Sequence, residues 1–388
     1  MKSANIFMSA MKGEFKAVFG DAGAMLIILF AILIYTVIYS VAYGREVVTD
    51  VVIGVVDEDC TASSRALVDN LRSGPNTKVG YSPVSINDAE QMFYRNDIYG
   101  VVYIPYGYEQ ALLAGDQADV GVVLDGSHLL LYRQVLQQAA ADILTSGADV
   151  EVARLVSAGV DAAAIAGIVQ PVAYDGHVMY NSSLGYGSFV MPSILVVIVQ
   201  QTLLIGLALI AVRRRNSGCV CLNISLFTSV KIIVAKILVY ILLYGVSLTI
   251  ILSIVWPIFG FPYAGKTTDV IILMSVYIIA ATSLALSISS LFRRREAPFL
   301  LLLWSSVPIL LLAGLSLPKE AFPAWLYALG ELLPSSSAVR AYVDIGTMGA
   351  SLSDVSEEVY TLVLLAMFYF CVAVIAEKRL SISKILVK

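Results

Sequence analysis

The sequence predicts an α-helical polytopic membrane protein with six transmembrane helices and an α/β domain inserted between helices one and two. Three observations carry this. Hydrophobic residues make up 59% of the chain and charged residues only 14%, against about 25% charged in a soluble globular domain. The apolar residues fall in runs of roughly 20, the length a helix needs to cross the hydrocarbon core. Acid is unevenly spread: residues 44–187 hold 18 of the 29 Asp and Glu but only 7 of the 25 Lys and Arg. An acidic, soluble segment is thus set into a chain otherwise built for lipid.

Residues 1–21 open with Ile6, Phe7, Ala10, Met11, Phe15 and Val18 at helical spacing, among Lys2, Lys12, Glu14, Lys16 and Asp21. This pattern predicts an amphipathic helix lying on the membrane surface. Residues 22–43 are apolar throughout and form the first span. The run is too long for a signal-peptide core and no A-x-A-like site follows, so it reads as an uncleaved anchor.

The acidic segment alternates in type. The β-branched run at 51–56 reads as a strand, and further strands are expected near 79–84, 99–104 and 120–124. Thr61, Ser63 and Ser64 mark a helix start, and Ser73-Gly74-Pro75-Asn76 breaks that helix. A second helix is expected near 87–95, and an Ala-rich helical stalk over 129–169 leads back to the membrane.

The later spans are expected near 188–212, 231–257, 269–291, 297–317 and 359–377. Each is almost free of charge inside, where one Asp, Lys or Arg would cost about 2.5–3.5 kcal/mol. Lys and Arg near span ends set the orientation. With the amino terminus inside, the inside set is Lys2, Lys12, Lys16, Arg213, Arg214, Arg215, Lys231, Lys236, Arg293, Arg294, Arg295, Lys378, Arg379, Lys384 and Lys388. The short outside loops hold only Lys266, Lys319 and Arg340. Both termini are therefore expected in the cytoplasm, and the acidic domain outside it.

Several motifs have spacings associated with chemistry. Gly260-Phe261-Pro262-Tyr263-Ala264-Gly265-Lys266-Thr267 has phosphate-loop spacing, but that loop needs a strand before it and a helix after it. A span precedes it here, on the side away from ATP, so it reads as a turn. Cys219-x-Cys221 lacks a third ligand nearby, and His128 and His177, the only histidines, sit in no metal or catalytic array. Cys60 is the single cysteine of the acidic domain, which excludes an internal disulfide there. A net charge of −4 suggests no basic surface for nucleic acid. Spans without internal carboxylates argue against a proton relay or an intramembrane protease.

Two groups of residues remain as candidates. Gln200, Gln201, Ser283, Ser287 and Ser305 lie within spans; they either pack helices together or line a substrate path. A path this apolar suits an amphipathic or lipid-like molecule better than an ion. Arg213, Arg214, Arg215, Leu222 and Phe227 lie in a long inside loop over 213–230. The arginines anchor topology, and the stretch through Leu222, Ile224, Leu226 and Phe227 is expected to form a short interfacial helix able to dock a cytoplasmic partner.

Three stretches resemble one family. Val55-Val56-Asp57-Glu58-Asp59 followed by Ser63-Ser64-Arg65-Ala66-Leu67 looks like the V-V-D-x-D-x-S-x-x-S-R-x-L opening of the extracytoplasmic domain of bacterial ABC type-2 exporter permeases. Val102-Tyr103-Ile104-Pro105-x-Gly107-Tyr108, with Gly115 and Leu124-Asp125-Gly126, is similar to the family's V-I-P-x-G-F run. Leu317-Pro318, Pro323-Ala324-Trp325-Leu326, Pro334 and Arg340 resemble its last outside loop. Tyr180-Asn181-Ser182 has Ser where the family has Pro, and Asn216-Ser217-Gly218-Cys219 departs from the family's E-x-G-T-like segment. The coupling residues are therefore assigned by position.

The resemblance implies a permease of the bacterial inner membrane with no catalysis or cofactor of its own, ATP and Mg being held by a separate cytoplasmic ATPase subunit. It also implies a second permease subunit, identical or sister, surrounding membrane lipid, and in some relatives a periplasmic adaptor protein. The competing expectation is an envelope receptor or scaffold whose outer domain binds a partner.

Overall fold

A computed structural model of the protein describes residues 2–170, 177–182, 184–216, 224–314 and 321–383. The chain divides into two compact units, Met1–Glu46 with Val178–Lys388, and Val47–His177.

The smaller unit is built on a four-stranded sheet. After α1 (Lys2–Phe19) and α2 (Ala22–Tyr43) of the other unit, its elements run β1 (Val51–Asp57), α3 (Ala62–Ser73), β2 (Thr77–Tyr81), α4 (Ile86–Tyr94), β3 (Gly100–Ile104), α5 (Tyr108–Ala114), β4 (Gly121–Leu124), α6 (Leu129–Ser157) and α7 (Ala162–Val169). Strand order is β2-β1-β3-β4, with β1 parallel to both neighbours and β4 antiparallel to β3. A central parallel strand is covered on both faces, which is why Val51–Asp57 reads as a near-continuous β-branched run. Val51, Ile53, Val55, Val102 and Ile104 face Leu67 and Leu71 of α3 and Val135 and Ala139 of α6. Val56 and Val101 face the opposite side, against Ala89 of α4 and Ile98. Thr61 starts α3 with a reciprocal capping box to Ser64. The strands and the first two helices expected from the sequence are found here within a few residues, whereas the stalk expected over 129–169 is two helices, α6 and α7, with Gly159 at φ +77° between them.

The larger unit is helical: α1 (Lys2–Phe19), α2 (Ala22–Tyr43), α8 (Tyr186–Asn216), α9 (Leu226–Phe259), α10 (Thr267–Ser289), α11 (Glu296–Leu312), α12 (Ala324–Glu331), α13 (Pro334–Tyr342) and α14 (Ser356–Ser383). Among the described residues, α2, α8, α9, α10 and the Ser356–Arg379 part of α14 are five helices long and apolar enough to cross a membrane. The expected span near 297–317 corresponds to α11, whose 17 residues give a helix of about 26 Å against a hydrocarbon core of about 30 Å.

Helix α8 is the hub. In its most apolar window 78% of residues are buried, against 22% in α14, and it packs on α2, α10, α11 and α13. Gly206 permits the approach of α2, since a Cβ there would sit 2.4 Å from Cγ1 of the buried Ile28. At the start of α8 the Glu46 carboxylate accepts from the Ser188 N–H (3.0 Å) and hydroxyl (2.8 Å), capping the helix from the end of α2. The turn with phosphate-loop spacing joins α9 to α10: Gly260, at φ +69°, ends α9, and Lys266 precedes α10. No strand precedes it, as a phosphate loop would require.

Candidate functional site

The arginines expected to anchor and couple come together at one end of the helical unit, where α1, α8, α9, α14 and the turn after α10 meet. Their side chains point back into the protein. Arg214 donates to Glu14 Oε2 at 2.5 Å, and Tyr240 of α9 donates its hydroxyl to Glu14 Oε1 at 2.7 Å. Arg213 donates to the Gly20 carbonyl at 2.6 Å and lies 3.3 Å from Asp21. Arg295, from the second arginine cluster, also pairs with Asp21. Arg215 donates to the carbonyls of Phe292 (2.6 Å) and Ser290 (2.8 Å) beyond the end of α10. Lys236 of α9 and Glu377 of α14 pair at 2.9 Å.

Two of these carboxylates are buried, and charge decides their state. Burial alone pushes Glu14 up, but Arg214, Lys236 and the Tyr240 hydroxyl outweigh it and leave its pKa below the ordinary value. Asp21 is also lowered: burial opposes, while the Ala24 and Gly23 N–H groups, Arg295 and Arg213 prevail. Asp21 caps α2 by accepting from Gly23 N (3.0 Å) and Ala24 N (3.2 Å), so one side chain starts a span and gathers two arginine clusters.

The smaller unit shows what its two motif stretches do. Asp59 accepts from the N–H groups of Gly107 (2.8 Å) and Glu109 (2.9 Å) and from the Thr61 hydroxyl (2.7 Å). Glu109 accepts in return from the Ser63 N–H and hydroxyl, at 3.0 and 2.9 Å. Asp57 accepts from the Ser64 hydroxyl at 2.7 Å. The turn after β1 and the turn after β3 therefore lock each other. The Asp59 pKa is lowered chiefly by the Thr61 hydrogen bond, with the backbone donors adding to it against partial desolvation. Asp125, Ser127 and His128 are close, but the serine and the aspartate both meet Nδ1 of the same ring, 2.9 and 2.8 Å away. That arrangement is not a nucleophile–base–acid relay.

A family model described as ABC-2 family transporter protein matches residues 23–375. The chain belongs to the ABC-2 transporter family. It is similar to the probable multidrug ABC transporter permease YbhR of Escherichia coli K12, 29% identical over 168 residues, 43% of this chain and 44% of the relative. The same protein of strain O157:H7 matches to the same extent. The matched stretch spans less than half the length of these curated relatives. No solved structure gives a significant match.

In this ABC-2 permease the candidates from sequence fall into distinct places. Gln200 is fully buried; its amide donates to Ser335 Oγ (3.0 Å) and accepts from Ser335 N (2.9 Å). It caps α13 from another helix. Ser287 donates to the carbonyls of Ser283 and Tyr369, both at 2.8 Å, and so ties α10 to α14. Ser283 donates to the Ile279 carbonyl one turn back at 2.7 Å. For these three, the contacts are those of the packing alternative. Gln201 has neither amide atom hydrogen-bonded among the described residues, and Ser305 of α11 is half-buried.

The loop candidates also need correction. Helix α8 continues through Arg213, Arg214 and Arg215 to Asn216, and α9 begins at Leu226, capped by Ser225. Leu226 and Phe227 thus open the span helix itself instead of forming a separate interfacial helix, and both are exposed. Leu222 and the Cys219-x-Cys221 pair lie outside the described residues.

Sequence reasoning missed Glu14, Asp21, Tyr240, Ser335 and Glu377. For Glu14 the signal was present: it falls in the 7, 11, 14, 18 series that forms the apolar stripe of α1. A carboxylate on an apolar stripe requires a buried partner.

Proposed function

We propose that this chain is the transmembrane permease subunit of an ATP-driven exporter of amphipathic molecules, such as drugs or lipids. The observation that carries the reading is the ABC-2 family match over residues 23–375; the similarity to a probable multidrug permease supports the substrate class. A separate cytoplasmic ATPase subunit holds ATP and Mg, and a second permease subunit completes the path. A periplasmic adaptor belongs to the same scheme.

The arginine-bearing end faces the cytoplasm, by the charge rule that sets span orientation, and the α/β unit lies outside. ATP-driven closure of the ATPase pair acts on that end. The clamp of Glu14, Asp21 and Arg213–Arg215 makes α1, α2, α8 and α9 move as one body. The exposed Leu226 and Phe227 at the head of α9 supply apolar contact for the ATPase. Gln201, whose amide has no hydrogen-bond partner among the described residues, is the residue through which α8 meets substrate.

The test is efflux of a fluorescent amphipathic dye from cells carrying this chain with and without its ATPase. Loss of efflux without the ATPase is expected; undiminished efflux would refute the scheme. Orientation is tested at the exposed Cys60, in a variant with the other cysteines replaced. A membrane-impermeant maleimide should label it from outside the cytoplasmic membrane. Labelling only after that membrane is opened would invert the topology.

A further inference from the structure

A cavity of about 450 Å³ lies at the arginine-bearing end of the helical unit, between α1, the head of α9 and the tails of α8, α10 and α14. This volume falls in the range of small-molecule sites. Most of its wall is apolar, with Leu207, Ile210, Ile232, Leu286 and Ala373 among the lining residues. Five charged side chains also reach it: Glu14, Arg214, Arg215, Lys236 and Glu377.

Four of these are matched in pairs, Glu14 with Arg214 and Lys236 with Glu377. Arg215 has no carboxylate partner among the described residues; it donates to the two carbonyls of Phe292 and Ser290. Carbonyls satisfy hydrogen bonds but do not cancel charge, and a guanidinium has five donors, so capacity remains. The cavity therefore carries one uncompensated positive charge against apolar walls. A cation would meet repulsion there. A bare inorganic anion would leave the apolar wall uncovered.

We infer that this cavity binds an anionic amphiphile, with its apolar chain along Leu207, Ile210 and Ile232 and its phosphate or carboxylate on Arg215. A membrane phospholipid and a free phosphate-bearing amphiphile share that chemistry. Access is beside Gly13 of α1, which lines the cavity, is exposed, and has no atom within 4 Å of where a Cβ would stand. The site is formed by this chain's own residues, and the inference does not depend on what the chain transports.

The test uses the purified full chain in phosphatidylcholine nanodiscs doped with a photoactivatable phosphatidylglycerol or, separately, a photoactivatable phosphatidylcholine. Crosslinks are mapped by mass spectrometry. The anionic probe should label peptides spanning 207–215 and 232–236 about tenfold more than the zwitterionic one, the ratio expected of one charge-assisted hydrogen bond. Gly13→Leu and Ala376→Leu fill the cavity without touching its charges and should remove most of that labelling. Arg215→Gln should abolish the preference between head groups; because Arg215 also holds the turn at 290–292, the two filling variants decide the matter if it misfolds. Dodecyl phosphate should displace the probe and inorganic phosphate should not, which shows that chain and head are both required. Failure of dodecyl phosphate to compete assigns the site to two-chain membrane lipid. Equal labelling by both probes, labelling indifferent to the filling variants, or displacement by inorganic phosphate alone would overturn the inference.

Discussion

The two units of this permease sort the same amino acids in opposite ways. In Val47–His177 the sheet and its covering helices bury apolar side chains, Ile53 and Leu67 fully, although Val84, Leu113, Leu129 and Leu144 stand exposed, while ion pairs such as Asp69–Arg72 lie on the surface. In the helical unit large apolar residues turn outward, Trp304 being 80% exposed, whereas Glu14 is 1% exposed and Lys236 7%. The first pattern is what water imposes. The second is what lipid permits, since an outward Leu or Trp costs nothing there and a charge is held by partners inside the bundle. The difference teaches that an ion pair has no fixed worth; its value follows from which solvent lies outside.

The comparison can be broken first where the effect is largest. Leu67→Ala should empty a core position between α3 and the sheet and destabilise the α/β unit by about 2–5 kcal/mol, read as earlier unfolding of that unit by hydrogen exchange. Glu14→Ala should cost about 3 kcal/mol, the lower end for breaking a buried pair because Arg214 keeps partial solvent contact; thermal unfolding in detergent measures it. The pH dependence has a defined sign. A carboxylate whose folded pKa is lowered stabilises fully above its ordinary value, 4.5 for Glu14, and loses that stabilisation as pH falls through the folded value. Acidification below about 4.5 should therefore lower the melting temperature less steeply in Glu14→Gln than in the natural protein.

The same contrast explains what the sequence made legible. β-branched runs, the Gly-Pro break and Thr61 as a cap located the four strands and the first two helices of the α/β unit, but not α5 (Tyr108–Ala114) or the division of the stalk into α6 and α7. Apolar length located five spans among the described residues, the sixth expected one corresponding to the shorter helix α11. Their internal contacts were another matter. A span that is apolar on all sides carries no stripe to say which face meets protein, so Gln200, Ser283 and Ser287 were open to a path or a packing role. Their partners Ser335 and Tyr369 are distant in sequence and carry no local signal. At the arginine end the charge rule accounts for Arg213–Arg215 completely as topology signals, so nothing in the sequence demands partners for them. The exception was Glu14, whose place on an apolar stripe does demand one.

Smaller effects sharpen the contrast. Gln200→Ala removes the cap on α13 and should cost about 1 kcal/mol, the size of an interhelical polar contact in membrane proteins, measured as a shift in steric-trapping or thermal stability. Adding Ser335→Ala to it should cost less than the sum of the single variants, since the two side chains share a bond.

The weakest effect is the most informative. Asp69 and Arg72 of α3 form a pair at 3.3 Å with side chains 72% and 55% exposed. Their contact differs little in kind from Arg214–Glu14, a carboxylate against a guanidinium. In water the Coulomb gain is screened and both side chains surrender rotamer freedom, leaving at most about 0.5 kcal/mol. Arg72→Ala should therefore leave the melting temperature almost unchanged, and what little it does should vanish at high salt, where surface charges are screened. The Glu14→Ala penalty should survive the same salt, because its carboxylate is shut away from the ions. A loss on Arg72→Ala equal to that on Glu14→Ala, or a Glu14 penalty erased by salt, would mean that both pairs sit in the same medium, and the contrast between the two units would fall.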